Sequence, residues 1–406
     1  MHKSTSIPTR LEKIYNITRS ANLESTNPIF NLNKNMDTVN YYTNGGGDTN
    51  QDDNESTDTR KVLGKQYLDF YNVINQLDGK LLYIKSGGYG HTFKGIVLDE
   101  NEKTKTEFAV KVVAYSKKEN YGTIHNTQRP ENSEICMLKI LSYFVIKGQT
   151  PHIILPISVF DTKISPFLKL QDKGIIPKDN DNYTNFIKNY KKGLYCDDVS
   201  IIISEWANSG DLSVFLKNNY KKLKLIHWKC FFFQLISTLA VIQTKFPEFR
   251  HNDLKANNIL VSKTKNNSSF LYRINKVEYH VPPIGYTIFL IDWDFAQIPN
   301  IVDNIKLHQE WTRKLNITSV QNRYYDIHYF FCSLICKGFL PEVLTDDIVP
   351  VEVKDFINYV VPLEYRPNSS SGYVNKKCRL QVDTEFLLPV NLLRHDFFKD
   401  FHTDKN

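Results

Sequence analysis

Between residues 224 and 246 the chain reads "KLIHWKCFFFQLISTLAVIQTKF", apolar around almost the whole circumference of a helix. Such a helix has little face to offer water and is usually central to a domain. Its most apolar part, 230–243, is too short and too punctuated by polar residues to span a bilayer. The rest of the fold must therefore supply its cover.

The chain before this helix is rich in strand signals. "LLYIKSGGYGHTFKGIVL" (81–98) reads as strand, glycine turn, strand, and "TEFAVKVVAY" (106–115) as a further strand rich in β-branched residues. "PENSEICMLKILSYF" (130–144) carries a helical stripe at Ile135, Leu138, Ile140, Leu141 and Phe144 behind an acidic first turn. "HIILPISVF" and "VSIIISEWA" are strands, and the polar stretch between them, 161–198, reads as an insertion making a surface excursion. After Ala207 helices dominate, starting with "SGDLSVFLKNN". Strand-rich first and helix-rich second, joined near 207, predicts an α+β chain in two lobes, 61–207 and 208–406. Residues 1–60, rich in Asn, Thr, Ser and Asp, show no sustained periodicity and read as a disordered tail.

Charge and cysteines narrow the class. A formal net charge of +7 over 406 residues suits an anionic partner, be it a nucleotide, an acidic peptide or a membrane surface, and singles out none of them. The basic residues are dispersed and no nucleic-acid-reading signature is present, so no nucleic-acid partner is expected. The six cysteines contain no C-x-x-C pair, which argues against a zinc ribbon or a disulfide framework. Cys332 and Cys336 lie one helical turn apart in a very apolar stretch and read as two buried thiols in a reducing compartment. The first twenty residues hold no apolar core, so the expectation is an intracellular, soluble protein without a secretory signal.

Several residues look suited to handling phosphate. Gly87, Gly88 and Gly90 stand in a turn between strands, where backbone N–H groups can approach an anion without side-chain obstruction. No G-K-[ST] follows, so this is not a Walker loop. Lys111, inside the apolar strand "FAVK", points its amine either to solvent or into a cleft. Glu134 on the following helix could pair with it, with Glu131 as the near competitor. In "RHNDLKANNILV" (250–261), Asp253 could accept or orient a hydroxyl proton, Lys255 could neutralise a transferring phosphoryl group, and Asn258 could ligate Mg²⁺. "YTIFLIDWDFAQ" (286–297) ends an apolar strand in Asp292, a carboxylate that is costly there unless it meets a cation.

In this order and spacing, roughly residues 80–340 resemble a eukaryotic-type protein kinase. The resemblance implies a bilobal fold, with an N-terminal antiparallel-sheet lobe carrying one helix and a mainly helical C-terminal lobe. "SGGYG" is similar to the glycine-rich loop, so Gly87, Gly88, Tyr89 and Gly90 would cover ATP, with Lys85 where the family's first glycine would be. "FAVK" is similar to V-A-I-K, making Lys111 the phosphate lysine and Glu134 its partner. "SEWANSGDL" resembles the hinge, with Ser204 as a small gatekeeper, Glu205 and Ala207 offering backbone groups to adenine, and Asp211 reaching the ribose. "HNDLKANN" resembles H-R-D-L-K-x-x-N, implying Asp253 as catalytic base, Lys255 as phosphate contact, Asn258 as a metal ligand and His251 as a structural residue.

"DWDFA" looks like D-F-G with two further residues, making Asp292 the main Mg²⁺ ligand, Trp293 the packing aromatic and Asp294 the glycine's substitute. Starting the motif at Asp294 is the other reading. "YYDIHYFFCSLI" resembles the buried helix whose aspartate, here Asp326, braces the catalytic loop. Within the kinases the motifs are most like the serine/threonine enzymes of poxviruses and other large DNA viruses. That likeness implies ATP and Mg²⁺ as cofactors, a protein substrate with a Ser or Thr hydroxyl, and association with a virion.

The sequence departs from the pattern in places. Asn252 replaces the arginine that in many kinases reads a phosphorylated activation segment, and the implication is a kinase that does not need that signal at this position. Residues 298–325 hold no A-P-E, an insertion (262–285) separates Asn258 from Asp292, and the region after 340 carries no assignable motif. A small-molecule kinase of the choline or aminoglycoside type also carries H-N-D loops and I-D-W strands, so Asn252 and Trp293 fit it. Lys255, the glycine turn and the hinge-like segment stand against that reading. A third reading, a pseudokinase scaffold, is opposed by the chemical competence of Lys111, Glu134, Asp253, Asn258 and Asp292.

Overall fold

The computed structural model describes residues 6–30, 65–87, 89–265 and 268–403. Gly88 and residues 1–5 and 31–60 of the expected tail lie outside the described residues. The chain divides into two compact units, one of Arg10–Tyr143 and Leu155–Trp206, the other of Met1–Thr9, Phe144–Ile154 and Ala207–Asn406.

The first unit is built on a six-stranded sheet. In chain order its strands are β1 (Gln66–Tyr67), β2 (Gly79–Gly87), β3 (Gly90–Leu98), β4 (Thr104–Ser116), β5 (Pro156–Lys163) and β6 (Tyr195–Glu205), and they lie side by side as β1-β5-β6-β4-β3-β2. All neighbours are antiparallel except β1 and β5. In β4 the period of two puts Phe108, Val110 and Val112 in the core and turns Ala109 and Lys111 to the other face. The Phe108 ring fills the space where side chains at Gly95 and Gly79 would stand, since a Cβ there would come within 2.1 and 2.7 Å of it. Those glycines are there for packing. Helix α1 (Ile7–Ser20) and helix α2 (Pro130–Ile146) also contribute to this unit.

Two expectations need correction here. Part of the tail expected to lack order forms α1, because Ile7, Leu11 and Ile14 recur on one helical face within an otherwise polar background. Ile14, Leu23 and Ile29 are buried, and Thr26 Oγ1 lies 2.7 Å from Ser158 Oγ. The stretch 161–198 is likewise no surface excursion. It buries Ile164, Phe167, Leu170, Ile176, Tyr183 and Phe186, and it contains helix α3 (Asp181–Lys191), capped by the Asn180 side chain on the Tyr183 N–H.

In the second unit, the apolar segment 224–246 is helix α5 (Leu225–Lys245), preceded by α4 (Leu212–Asn219). By length and composition α5 could cross a membrane, but 78% of its most apolar window is buried inside the protein. Its cover comes from helix α6 (Tyr325–Leu334), helix α7 (Val351–Val360) and the C-terminal residues, with Phe331, Phe356 and Phe397 around the Phe232 ring. Strands β7 (Ile259–Lys263) and β10 (Tyr286–Leu290) form an antiparallel pair. Between them the insertion folds as a hairpin of β8 (Phe270–Ile274) and β9 (Val277–Val281). Its Tyr272 hydroxyl reaches His152 Nε2 at 2.7 Å, which ties the hairpin into the core.

The reading of Cys332 and Cys336 as two buried thiols holds for Cys332 alone. Cys336 forms a disulfide with Cys378, 42 residues further on. Only the tertiary fold brings that partner close.

Candidate active site

The catalytic-loop segment 250–258 lies between α5 and β7, and its backbone is held from below. Asp326, fully buried at the start of α6, accepts the His251 N–H at 2.7 Å and the Asn252 N–H at 2.8 Å. Burial pushes the Asp326 carboxyl above its ordinary range, while His251, Arg250 and the two N–H donors favour its charged form. His251 Nε2 lies 3.1 Å from the Ile291 carbonyl, and its ring packs on Trp293 at 4.9 Å. Asn252 takes a φ of 64°, the left-handed region that asparagine tolerates better than most side chains.

Both carboxylate oxygens of Asp253 are engaged. Oδ2 accepts from Lys255 Nζ at 2.8 Å and from Asn258 Nδ2 at 3.0 Å. Oδ1 accepts from Arg379 Nη2 at 2.6 Å. Arg379 lies in the region to which sequence reasoning assigned no motif. It is buried, its Nη1 donates to the Asn252 carbonyl at 2.5 Å, and its guanidinium stacks over Tyr329 at 4.2 Å. Burial works against its charge, but Tyr325, Tyr329 and Asp253 outweigh that and raise its pKa. A guanidinium touching the loop's aspartate is a site residue that no local pattern could have disclosed.

The donor set suits a hard cation. Asn258 Nδ2 is committed to Asp253 through both its carbonyl and its carboxylate, which leaves Oδ1 as the end of the amide presented to a ligand. Asp292 follows the end of β10 with a φ of 68°, and the Ile291 N–H beside it donates to the Asn258 carbonyl at 3.1 Å. An amide oxygen and a carboxylate are the ligand types that Mg²⁺ prefers. Asp294 is differently occupied. Its carboxylate pairs with Lys306, which also lies over the Phe295 ring at 3.9 Å, and its carbonyl accepts from Asn304 Nδ2 at 2.9 Å.

The segment after Asp292 is tied directly to the loop. Asn252 Nδ2 donates to the carbonyls of Phe295 at 3.0 Å and Thr318 at 3.1 Å. Arg250 reaches Thr318 Oγ1, the Val320 carbonyl and the Asn316 carbonyl, and stacks on Tyr325 at 3.7 Å.

In the sheet unit, Lys111 Nζ and Glu134 Oε1 are 2.5 Å apart, joining β4 to α2. Glu131 is used elsewhere, accepting from the Ser116 N–H at 3.1 Å and from Arg129 Nε at 3.3 Å. Gly87 and Gly90 end β2 and begin β3, with Tyr89 half exposed between them. A Cβ at Gly90 would stand 1.8 Å from the Val112 carbonyl, whereas one at Gly87 would meet nothing within 4 Å. Gly90 therefore serves the close approach to β4, and Gly87 leaves open space. Glu205 is gripped by Arg10 of α1, Nε to Oε1 at 3.0 Å and Nη2 to Oε2 at 2.7 Å, and its own N–H donates to the Leu155 carbonyl. In the other unit, Ala207 is buried with Ile154 and Phe289, and Asp211 caps α4 by accepting the Val214 N–H at 2.9 Å.

Comparison with known proteins agrees with this chemistry. The poxvirus serine/threonine protein kinase family matches residues 124–366. A protein of Acanthamoeba polyphaga mimivirus named as a serine/threonine-protein kinase is 44% identical over 352 residues, covering 85% of this chain and 74% of that protein. A second mimivirus protein of the same kind of name is 26% identical over 158 residues, covering 35% of this chain and 40% of its own length. A family match over more than half of the chain, together with a relative this similar along most of both lengths, makes the chain a member of the poxvirus serine/threonine protein kinase family.

Proposed function

We propose that the protein transfers the γ-phosphoryl group of ATP to Ser or Thr hydroxyls of a protein substrate, with Asp253 as the group that receives the hydroxyl proton. The observation that carries this reading is the setting of Asp253. Asp326 holds the N–H groups of the two residues before it, His251 and Asn252, and the Asp253 carboxylate is fixed by Arg379 on one oxygen and by Lys255 and Asn258 on the other. Phosphoryl transfer needs little covalent chemistry from the protein, so positioning and charge supply most of the rate.

In this reading Asp253 orients the substrate hydroxyl for in-line attack and accepts its proton as the new P–O bond forms, while the bond from the γ-phosphorus to the β-phosphate oxygen breaks and ADP leaves. Lys255, beside it, offsets negative charge gathering on the transferring group, and Lys111, held by Glu134, takes the ATP phosphates. Gly87, Gly88, Tyr89 and Gly90 cover the nucleotide; Glu205, Ala207 and Asp211 serve adenine and ribose. Asn258 and Asp292 would hold Mg²⁺, which when bound neutralises phosphate oxygens. Arg379 acts through Asp253 as a positioning residue.

The anchoring of residues 295–320 by Asn252 and Arg250 supports a kinase that is active without a phosphorylated activation segment. Both anchors are hydrogen bonds to carbonyls and a hydroxyl, charge-assisted in the case of Arg250.

The choice between Asp292 and Asp294 is open to a direct test. Asp292→Ala is expected to lower phosphoryl transfer by about 100-fold or more, and Asp294→Ala by less than about tenfold, measured with radiolabelled ATP on a Ser/Thr-containing protein. The reverse order would move the metal-binding role to Asp294.

A further inference from the structure

The stretch 161–198 is absorbed by none of the roles above, yet its helix α3 lies on the hairpin read as the nucleotide cover. We propose that α3 is a built-in splint for that hairpin and that Asn182 is a positioning residue for ATP binding. The inference rests on the kinase reading, because it takes the β2–β3 turn to be the part that closes on ATP.

The hairpin needs support from outside. β2 is an edge strand, its pairing with β3 shifts register between Tyr83 and Lys85, and a glycine-rich tip has few side chains with which to pack itself. Asn182 Nδ2 donates to the Ser86 carbonyl at 2.9 Å, just before the glycines. Asn180, the cap of α3, donates to the Tyr83 hydroxyl at 2.5 Å. That hydroxyl donates to Ser86 Oγ at 3.0 Å, and Ser86 Oγ lies 2.9 Å from His91 Nδ1 across the neck of the hairpin.

Apolar contacts complete the joint. The His91 ring meets Phe186 at 4.4 Å and Tyr183 at 5.3 Å, and both aromatics are almost fully buried. Burial holds the His91 pKa down at about 4, so the ring is neutral and can accept the Ser86 hydroxyl at Nδ1. Both strands of the neck are thus fastened to one helix.

A turn already held near its working position loses less freedom when it closes on ATP, which lowers the ordering cost of binding. Releasing the splint should therefore weaken ATP binding and leave the chemical step alone. Asn182→Ala removes the donor, and Asn182→Asp removes it at constant shape. Both are surface-side changes on a helix whose core contacts, Tyr183 and Phe186, remain.

In the full chain, KM for ATP is expected to rise about 3- to 10-fold in both variants, the loss of one hydrogen bond, with kcat within about twofold of wild type. Amide hydrogen exchange should speed up at 83–91 and stay unchanged in β4. An unchanged KM for ATP, or unchanged exchange at 83–91, would overturn the proposal, as would an equal fall in kcat without a change in KM. If the wild-type protein failed to turn over ATP, the kinase reading itself would fall, and the exchange data would still decide whether α3 holds the hairpin.

Discussion

The catalytic loop and the glycine hairpin are both secured by distant parts of the chain, but by different physics. The loop is held by ions: Asp326 grips its backbone, Arg379 and Lys255 take opposite oxygens of Asp253, and Arg250 ties it to residues 316–320. The hairpin is held by neutral amides, hydroxyls and aromatic rings of α3. Charge-assisted hydrogen bonds among buried groups are the stronger kind and fix geometry most tightly. Neutral contacts on an edge strand leave a part that can yield. In the proposed function, the difference suits a group that would stay aligned during proton transfer and a cover that would admit and release a nucleotide.

The sharpest way to break this contrast is at Arg379. Arg379→Ala should cost about 2–4 kcal/mol of folding stability, because it leaves Asp253 Oδ1 and the Asn252 carbonyl without their donor, and should lower kcat about 10- to 100-fold. Arg379→Lys should recover part of kcat, since an ammonium can satisfy only some of the partners of a planar fork. Steady-state kinetics beside denaturant titration would separate the two effects. An Arg379→Ala enzyme with normal kcat would remove Arg379 from the positioning machinery.

The two hairpin glycines should separate cleanly. Gly90→Ala drives a methyl against the Val112 carbonyl and should cost about 2–3 kcal/mol. Gly87→Ala meets open space, so thermal stability should change by less than about 0.5 kcal/mol, and any effect should be confined to KM for ATP. Equal destabilisation by both would contradict the different roles assigned to them.

Acid should strain both regions. Burial lowers the pKa of His91 in the hairpin and of His328 in α6 to about 4, from an ordinary 6.5. The folded protein resists protonating these rings until pH 4, whereas the unfolded chain takes up protons below 6.5. Their contribution is therefore complete above pH 6.5 and lost as pH falls toward 4, about 2 kcal/mol for each ring by pH 5. Thermal melts from pH 7 to 5 on wild type and on His91→Gln and His328→Gln would read this, with a shallower pH slope in each variant.

What could be read from the sequence divides along the range of the interactions. Asp253, Lys255, Asn258 and Asp292 sit in short local patterns, and Asp326 lies in a recognisable helix start. Arg379 reaches Asp253 across 126 residues, and Cys378 reaches Cys336 across 42; neither has a local signature. Helix α1 was hidden for another reason. Its few apolar positions disappear when composition is averaged over sixty mostly polar residues, although Arg10 within it clamps Glu205. Helix α3 buries only Tyr183 and Phe186 from an Asn- and Lys-rich stretch, so the same averaging concealed it.

A catalytic loop that needs no phosphorylation to act is tested by phosphoryl transfer from ATP to a Ser/Thr-containing protein by phosphatase-treated wild-type protein, beside Asp253→Ala. The treated protein is expected to start transfer without a lag, and Asp253→Ala to fall by about 100-fold or more. Transfer that begins only after the protein has been phosphorylated again, or that survives in Asp253→Ala, would contradict it.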